Sequence, residues 1–174
     1  MAKDKSVLNL FCYTGSVGVQ AALGGASRVV NVDMSAPYLK WAQENHAINN
    51  FPEGDDYRFI RANAVELLER PERFEVQRDF DIIFLDPPSF SNSAKMADTL
   101  DIQRDHESLI GNTMKLLDSN GVLIFSTNRR KFKLEEDLLS LFDVKDITRD
   151  TIPEDFKRRP GIHHCWEIRH RAHG

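Results

Sequence analysis

The chain has 174 residues, 41% hydrophobic and 29% charged, and a net charge of −4. That is long enough for one core without disulfides or metal, with an ordinary globular balance and no global positive field of the kind that advertises nucleic acid. Two cysteines make no disulfide framework, no signal peptide precedes them, and no apolar run approaches the roughly 20 residues that span a bilayer, so a cytosolic protein with reduced thiols is expected.

Only residues 1–5 precede the first apolar run, residues 6–12, which reads as a strand buried on both faces. A chain that opens on a central strand is expected to be an excised piece of a longer protein, with residues 1–174 forming one domain. Gly15 follows, a helical pattern runs over residues 16–23, and Gly24-Gly25 ends it. Residues 28–33 predict the second strand, ending on Asp33. Pro37 fits the first turn of the next helix. Strand three covers residues 57–62, with a short helix from Ala64.

Residues 80–85 predict strand four, which must stop at Asp86-Pro87-Pro88 because proline cannot continue a central ladder. Residues 89–100 read as a polar loop, residues 102–117 as a helix, Asp118-Ser119-Asn120-Gly121 as a turn, and residues 122–127 as strand five. A helix over 134–141 and strands near 144–148 and 164–170 complete the chain. Strands alternating with helices imply right-handed βαβ units and an α/β fold with a mostly parallel seven-stranded sheet. Ligands in such sheets bind outside the carboxyl ends of the strands, so the informative residues should follow strands one, two, four and five.

After strand one, Gly15 permits a tight turn and close approach to a ligand. After strand two, Asp33 is placed to accept hydrogen bonds from ribose hydroxyls, although a turn or helix cap is an equally plain reading. A nicotinamide site would want a full G-x-G-x-x-G; only Gly15 and Gly18 are present, with Tyr13 in the first glycine's place. An aromatic there blocks a pyrophosphate but suits a ligand without phosphate, such as S-adenosylmethionine. After strand four, the two prolines stiffen the backbone and fix the direction of the Asp86 carboxylate.

These residues resemble a known family. Residues 9–18, Asp33 and Asp86-Pro87-Pro88-Ser89-Phe90 are similar to class I RNA methyltransferases with a Rossmann-like fold that modify 23S ribosomal RNA. Continuing through Ser91-Asn92-Ser93, Met96, Gln103-Arg104-Asp105-His106, Ile162-His163 and Cys165-Trp166, the chain resembles the C-terminal domain of the bacterial bifunctional large-subunit methyltransferases K/L. In that family the C-terminal domain makes N7-methylguanine and a separate N-terminal domain methylates guanine N2. The resemblance implies S-adenosylmethionine as cofactor. Phe11, Tyr13, Gly15 and Ser16 would hold its methionine end, Asp33 the ribose, and Met34, Asn63 and Ala64 the adenine, with Asp86 beside the reacting groups. Many relatives carry Asp where Asn63 stands. Pro87, Phe90, Asn92, Arg129 and His163 would meet 23S ribosomal RNA, and an additional N-terminal methyltransferase domain would precede this one.

Residue types separate the possible chemistries. Pyrimidine C5 methylation needs a thiol nucleophile; strand five ends Phe125-Ser126-Thr127-Asn128, and Cys12 and Cys165 read as small core residues. Guanine N7 has an in-plane lone pair and no proton to lose, so a rigid carboxylate to stabilise the cationic product suffices. Phe90 could stack on the base. N2-guanine methylation is the alternative, because Asp86 could equally accept an N–H bond; a catalytically silent RNA-binding module is another. His163, His164 and Cys165 alternate across a strand and cannot converge on a metal. Asn92, Arg104 and His106 are read either as RNA contacts or as capping and surface groups. The basic runs, Arg129 to Lys133 and Lys157 to Arg159, are each read as solvated loops that could also meet phosphates.

Overall fold

The computed structural model describes residues 2–91, 100–152 and 163–171. Strands β1 (Ser6–Leu10), β2 (Arg28–Asp33), β3 (Tyr57–Arg61), β4 (Phe80–Leu85), β7 (Leu117–Thr127), β8 (Phe142–Asp146) and β9 (His164–His170) form one seven-stranded sheet, ordered β3-β2-β1-β4-β7-β9-β8. All neighbours in it are parallel except that β9 runs antiparallel to both β7 and β8. β1 is buried along its whole length because its side chains feed two cores. Leu8, Leu10, Val30 and Val32 point into the larger core, which is closed by helices α3 (Ala64–Glu69), α4 (Ile102–Met114) and α5 (Glu136–Leu141). Val7 and Val29 point the other way, against Ala22 of α1 (Ser16–Leu23). Helix α2 (Ala36–Ile48) covers the same side through Leu39 and Ala42.

The order reverses direction at β1, whose neighbours β2 and β4 lie on either side, so the crevice opens above the carboxyl ends of these strands. Ile82 to Leu85 pair with Val122 to Phe125, so Asp86 and Ser126 follow one another out of adjacent strands.

Several sequence boundaries shift, each for a tertiary reason. α4 stops at Met114, and β7 already starts at Leu117, which pairs with Phe80. The predicted turn at Asp118 to Gly121 survives as an irregularity inside that strand, with Asn120 N donating to Asp118 Oδ1 at 2.9 Å. α5 begins only at Glu136, because the backbone N–H of Glu135 donates to His106 Nε2 (3.1 Å) and ties the preceding segment to α4. β8 sits two residues earlier than read from the sequence, and a short helix, α6 (Thr148–Thr151), follows it. The expected loop after strand four is bounded by a short antiparallel ladder, β5 (Phe90–Ser91) against β6 (Leu100–Asp101). Among the described residues no helix is long and apolar enough to cross a membrane.

Candidate active site

A cleft of about 660 Å³ opens above the strand ends, walled by Phe11, Tyr13, Asp33, Met34, Asn63, Ala64 and Asp86. These seven predicted positions come from four different strand ends. Gly15 and Ser16 are not in its lining. Gly15 has φ +73, and a Cβ there would lie 2.7 Å from Ala42 Cβ, so this glycine allows α2 to pack against the loop.

The loop after β1 is unusual because Phe11 (φ 55) and Tyr13 (φ 51) both hold left-handed backbone conformations. Bulky side chains there cost about 1 kcal/mol or more each. Three contacts hold the conformation. Tyr13 N donates to Asp33 Oδ2 at 3.0 Å, Asn45 Nδ2 donates to the Thr14 carbonyl at 2.9 Å, and Cys12 N donates to the Val32 carbonyl. Asp33 Oδ1 accepts the N–H of Ser35 at 2.8 Å, which orients the start of α2. Asp33 thus organises the turn and also stands in the cleft wall. Each oxygen has a further acceptor site, since an ionised carboxylate offers about four.

Asn63 caps α3, its Oδ1 accepting from Val65 N at 3.0 Å. Beneath the loop, Asn9 Nδ2 donates to Asn31 Oδ1 (2.9 Å), and Asn31 Nδ2 lies 3.3 Å from His46 Nε2. All three residues are fully buried or nearly so, and burial pushes the His46 imidazole pKa down. Gly18 faces this network with no room for a Cβ.

Across the cleft, Asp86 Oδ1 accepts from the Ser126 hydroxyl at 2.7 Å. Burial pushes the Asp86 carboxyl above the ordinary range, opposed by the Ser126 bond and by His163. His163, just before β9, has its own pKa lowered by burial, against the pull of Asp86; its Nε2 lies 3.1 Å from Thr151 Oγ1. Pro87 is buried while Pro88 lines the cleft. Phe90 contributes backbone pairing in β5, and Asn92 lies outside the described residues. Arg129 makes an ion pair with Asp101 at 2.6 Å, at the base of the β5–β6 ladder. Arg130, Lys131 and Lys133 are exposed beside it, at the carboxyl end of β7. The second basic run, Lys157 to Arg159, falls outside the described residues.

His106 is not an RNA contact. It is fully buried, with Nδ1 3.0 Å from the carbonyls of Ile102 and Gln103 while Nε2 accepts from Glu135 N. Those partners require the proton on Nδ1. Arg104 grips Asp105 through Nε and Nη2 at 2.6 and 2.8 Å. Both cysteines are buried, and burial raises their thiols, Cys12 to about 12 and Cys165 to about 11. Neither is a thiolate at neutral pH. Among the described residues no three metal-ligating side chains converge.

Residues 1–149 match the sequence family described as S-adenosylmethionine-dependent methyltransferase. The chain belongs to that family. This methyltransferase chain is 51% identical over 170 residues to the ribosomal RNA large subunit methyltransferase K/L of Cellvibrio japonicus (strain Ueda107), covering 98% of itself and 22% of that protein. Against the K/L methyltransferase of Shewanella woodyi (strain ATCC 51908 / MS32) it is 48% identical over 171 residues, covering 97% and 23%. The chain therefore spans less than a quarter of these relatives' length. Its fold superimposes with a TM-score of 0.76 on the crystal structure of SMU.776, a putative methyltransferase complexed with S-adenosylhomocysteine, at 23% identity and covering 96% of this chain and 45% of that one. The ribosomal protein L11 methylase of Lactobacillus delbrueckii gives 0.68 at 20% identity, covering 98% and 72%.

The methyltransferase cleft suits its family's cofactor on the chemistry of its walls. Asp33 offers spare acceptor sites for ribose hydroxyls, Met34, Ala62 and Ala64 offer apolar surface for a purine, and Asp86 offers a carboxylate for a cation. The sequence reading missed Ser35, Tyr38, Arg61, Leu100 and Ser126. The first two follow directly on Asp33 and were findable from it. Leu100 and Ser126 reach the site only through strand pairing, which no local pattern announces.

Proposed function

We propose that this domain methylates N7 of a guanine in 23S ribosomal RNA in the bacterial cytoplasm, as one part of a longer protein that carries a second methyltransferase domain upstream. The likeness to K/L methyltransferases over nearly the whole chain supports ribosomal RNA as the substrate. The observation that carries the reading is the state of Asp86: it lines the cleft, one oxygen is bonded to Ser126 and the other has no hydrogen-bond partner among the described residues, and both cysteines are held as thiols.

S-adenosylmethionine, when bound, supplies an electrophilic methyl group on a sulfonium. Guanine N7 presents a lone pair and carries no proton, so the protein needs no general base. Asp33 and the loop after β1 fix one side of the crevice, and the prolines after Asp86 fix the other, so the protein's main contribution is alignment. As N7 acquires its fourth valence the purine becomes cationic, and the Asp86 carboxylate opposes that charge in a partly desolvated site. His163, held neutral by burial, adds no competing positive charge. Arg130, Lys131 and Lys133 supply phosphate contacts beside the same opening.

Exocyclic N2 methylation is the second reading, favoured by the open acceptor on Asp86, which could take an amine N–H. Incubation of the intact protein with unmodified ribosomal RNA, digestion, and mass spectrometry of the nucleosides separates the two. N7-methylguanosine lost on Asp86→Asn is the expected result. N2-methylguanosine lost on Asp86→Asn, with N7-methylguanosine unchanged, would replace the proposal by its alternative, and a 5-methylpyrimidine lost on that substitution would overturn both.

A further inference from the structure

Asp86 leaves β4 one residue beyond Leu85, and Ser126 occupies the matching step of β7 beyond Phe125. Ser126 is 2% exposed, and among the described residues its hydroxyl bonds to Asp86 Oδ1 alone, at 2.7 Å. A carboxylate turns easily about its terminal torsion, which has broad two-fold preferences. Backbone rigidity from Pro87 and Pro88 fixes where the Asp86 Cα sits, but not the plane of its oxygens. Among the described residues Oδ2 has no hydrogen-bond partner, and Asp86 lines the cleft.

From this geometry we infer that Ser126 is a positioning residue: its hydroxyl locks the Asp86 carboxylate in one orientation, so that Oδ2 is the oxygen presented to the substrate base. The inference rests on the reading of Asp86 as the group that meets the reacting guanine. The position itself fits the role, because strand pairing sets the Ser126 hydroxyl beside Asp86 and buries it. The other groups around Asp86 do not hold it. His163 stands near it without a hydrogen bond among the described residues, its Nε2 being engaged by Thr151, and Cys165, the strand partner of Ser126 on β9, keeps its proton. The Ser126 bond also favours the ionised carboxylate against the burial that disfavours it.

The test uses the intact protein, single-turnover methylation of unmodified ribosomal RNA, and calorimetry with S-adenosylhomocysteine to establish that each variant is folded. Ser126→Ala should slow methyl transfer about tenfold, the loss of one charge-assisted bond in a buried site, with cofactor affinity retained. Without the hydroxyl the carboxyl holds its proton to higher pH, so the acidic limb of the rate profile should move upward; a merely structural loss would leave that limb in place. In an Asp86→Asn background, Ser126→Ala should add nothing, because it acts only through that carboxylate. A normal rate in Ser126→Ala alongside a slow Asp86→Asn overturns the role of Ser126 and leaves Asp86 standing. Losses that multiply in the double variant overturn it too. A normal rate in Asp86→Asn overturns the reading of Asp86 itself, and the role of Ser126 falls with it.

Discussion

At the end of β2, Asp33 gives both carboxylate oxygens to backbone N–H groups, those of Tyr13 and Ser35. At the end of β4, Asp86, a cleft residue, gives one oxygen to a side chain, Ser126, and the other has no hydrogen-bond partner among the described residues. The first arrangement is tied to the main chain and holds a loop with two left-handed aromatic residues, Phe11 and Tyr13. The second is tied to a neighbouring strand and stores its cost as a raised carboxyl pKa. A bound ligand can be gripped by a carboxylate that is already spoken for, since spare acceptor sites suffice. A transient charge needs an oxygen whose affinity has not been spent. On the proposed function the two carboxylates divide between holding and reacting, although nothing in their residue type distinguishes them.

The division breaks most visibly if the two variants fail to separate by assay. Asp86→Ala should cut the rate of methyl transfer by about 10²–10³, the usual cost of one transition-state electrostatic contact, while single-turnover measurement at saturating cofactor shows binding largely intact. Asp33→Ala should do the reverse. It should weaken S-adenosylhomocysteine by about 1.5–3 kcal/mol in calorimetry and leave the rate at saturation closer to normal. Equal effects of both variants on both quantities would erase the distinction.

A smaller effect sharpens the claim that the cofactor half is held by packing beneath it. Gly18→Ala must push against Asn31 and His46, and should cost about 1–3 kcal/mol in urea unfolding, with methyl transfer at saturation preserved. Smallest is a pH effect. His46 is neutral in the fold with its pKa lowered, so below the ordinary imidazole value of about 6.5 the unfolded chain binds the extra proton. The stability it contributes is present above that value and lost as pH falls through it. His163 has the same sign. Urea midpoints should drop between about pH 7.5 and pH 5.5, the window where histidine titrates, and less steeply in His46→Gln.

What the sequence made legible follows the range of the interactions. Asp33 and Asp86 could be placed because each ends an apolar run, and a run ending on a polar residue is visible within a few positions. The alternation of strands and helices was visible for the same reason, and so was a strand at residues 164–170, although its antiparallel direction was not. His106 looked like a surface group because its partner, Glu135, is 29 positions away. Ser126 looked like an ordinary end of a strand because Asp86 is 40 positions away. The buried chain Asn9–Asn31–His46 reads as three unrelated polar residues until β1, β2 and α2 are assembled. Glycines were recognised as special, but whether a glycine serves a ligand or a neighbouring helix depends on what stands opposite, and for Gly15 that is Ala42.

The place of β9 has a consequence for the order in which this molecule can come together. β9 follows β8 in the chain, yet it is threaded between β7 and β8, and β8 pairs with nothing else in the sheet. A nascent chain that has released β8 from the ribosome still has a bare edge along the eleven-residue β7, and β8 has no partner. Such edges are templates for mispairing with other chains while they wait. The delay also reaches the chemistry: because β9 is antiparallel, its first residues enter at the crevice end of the sheet, and His163 arrives beside Asp86 only when that strand docks. Translation of residues 164–170 is thus the event that fills the gap between β7 and β8 and brings His163 beside Asp86.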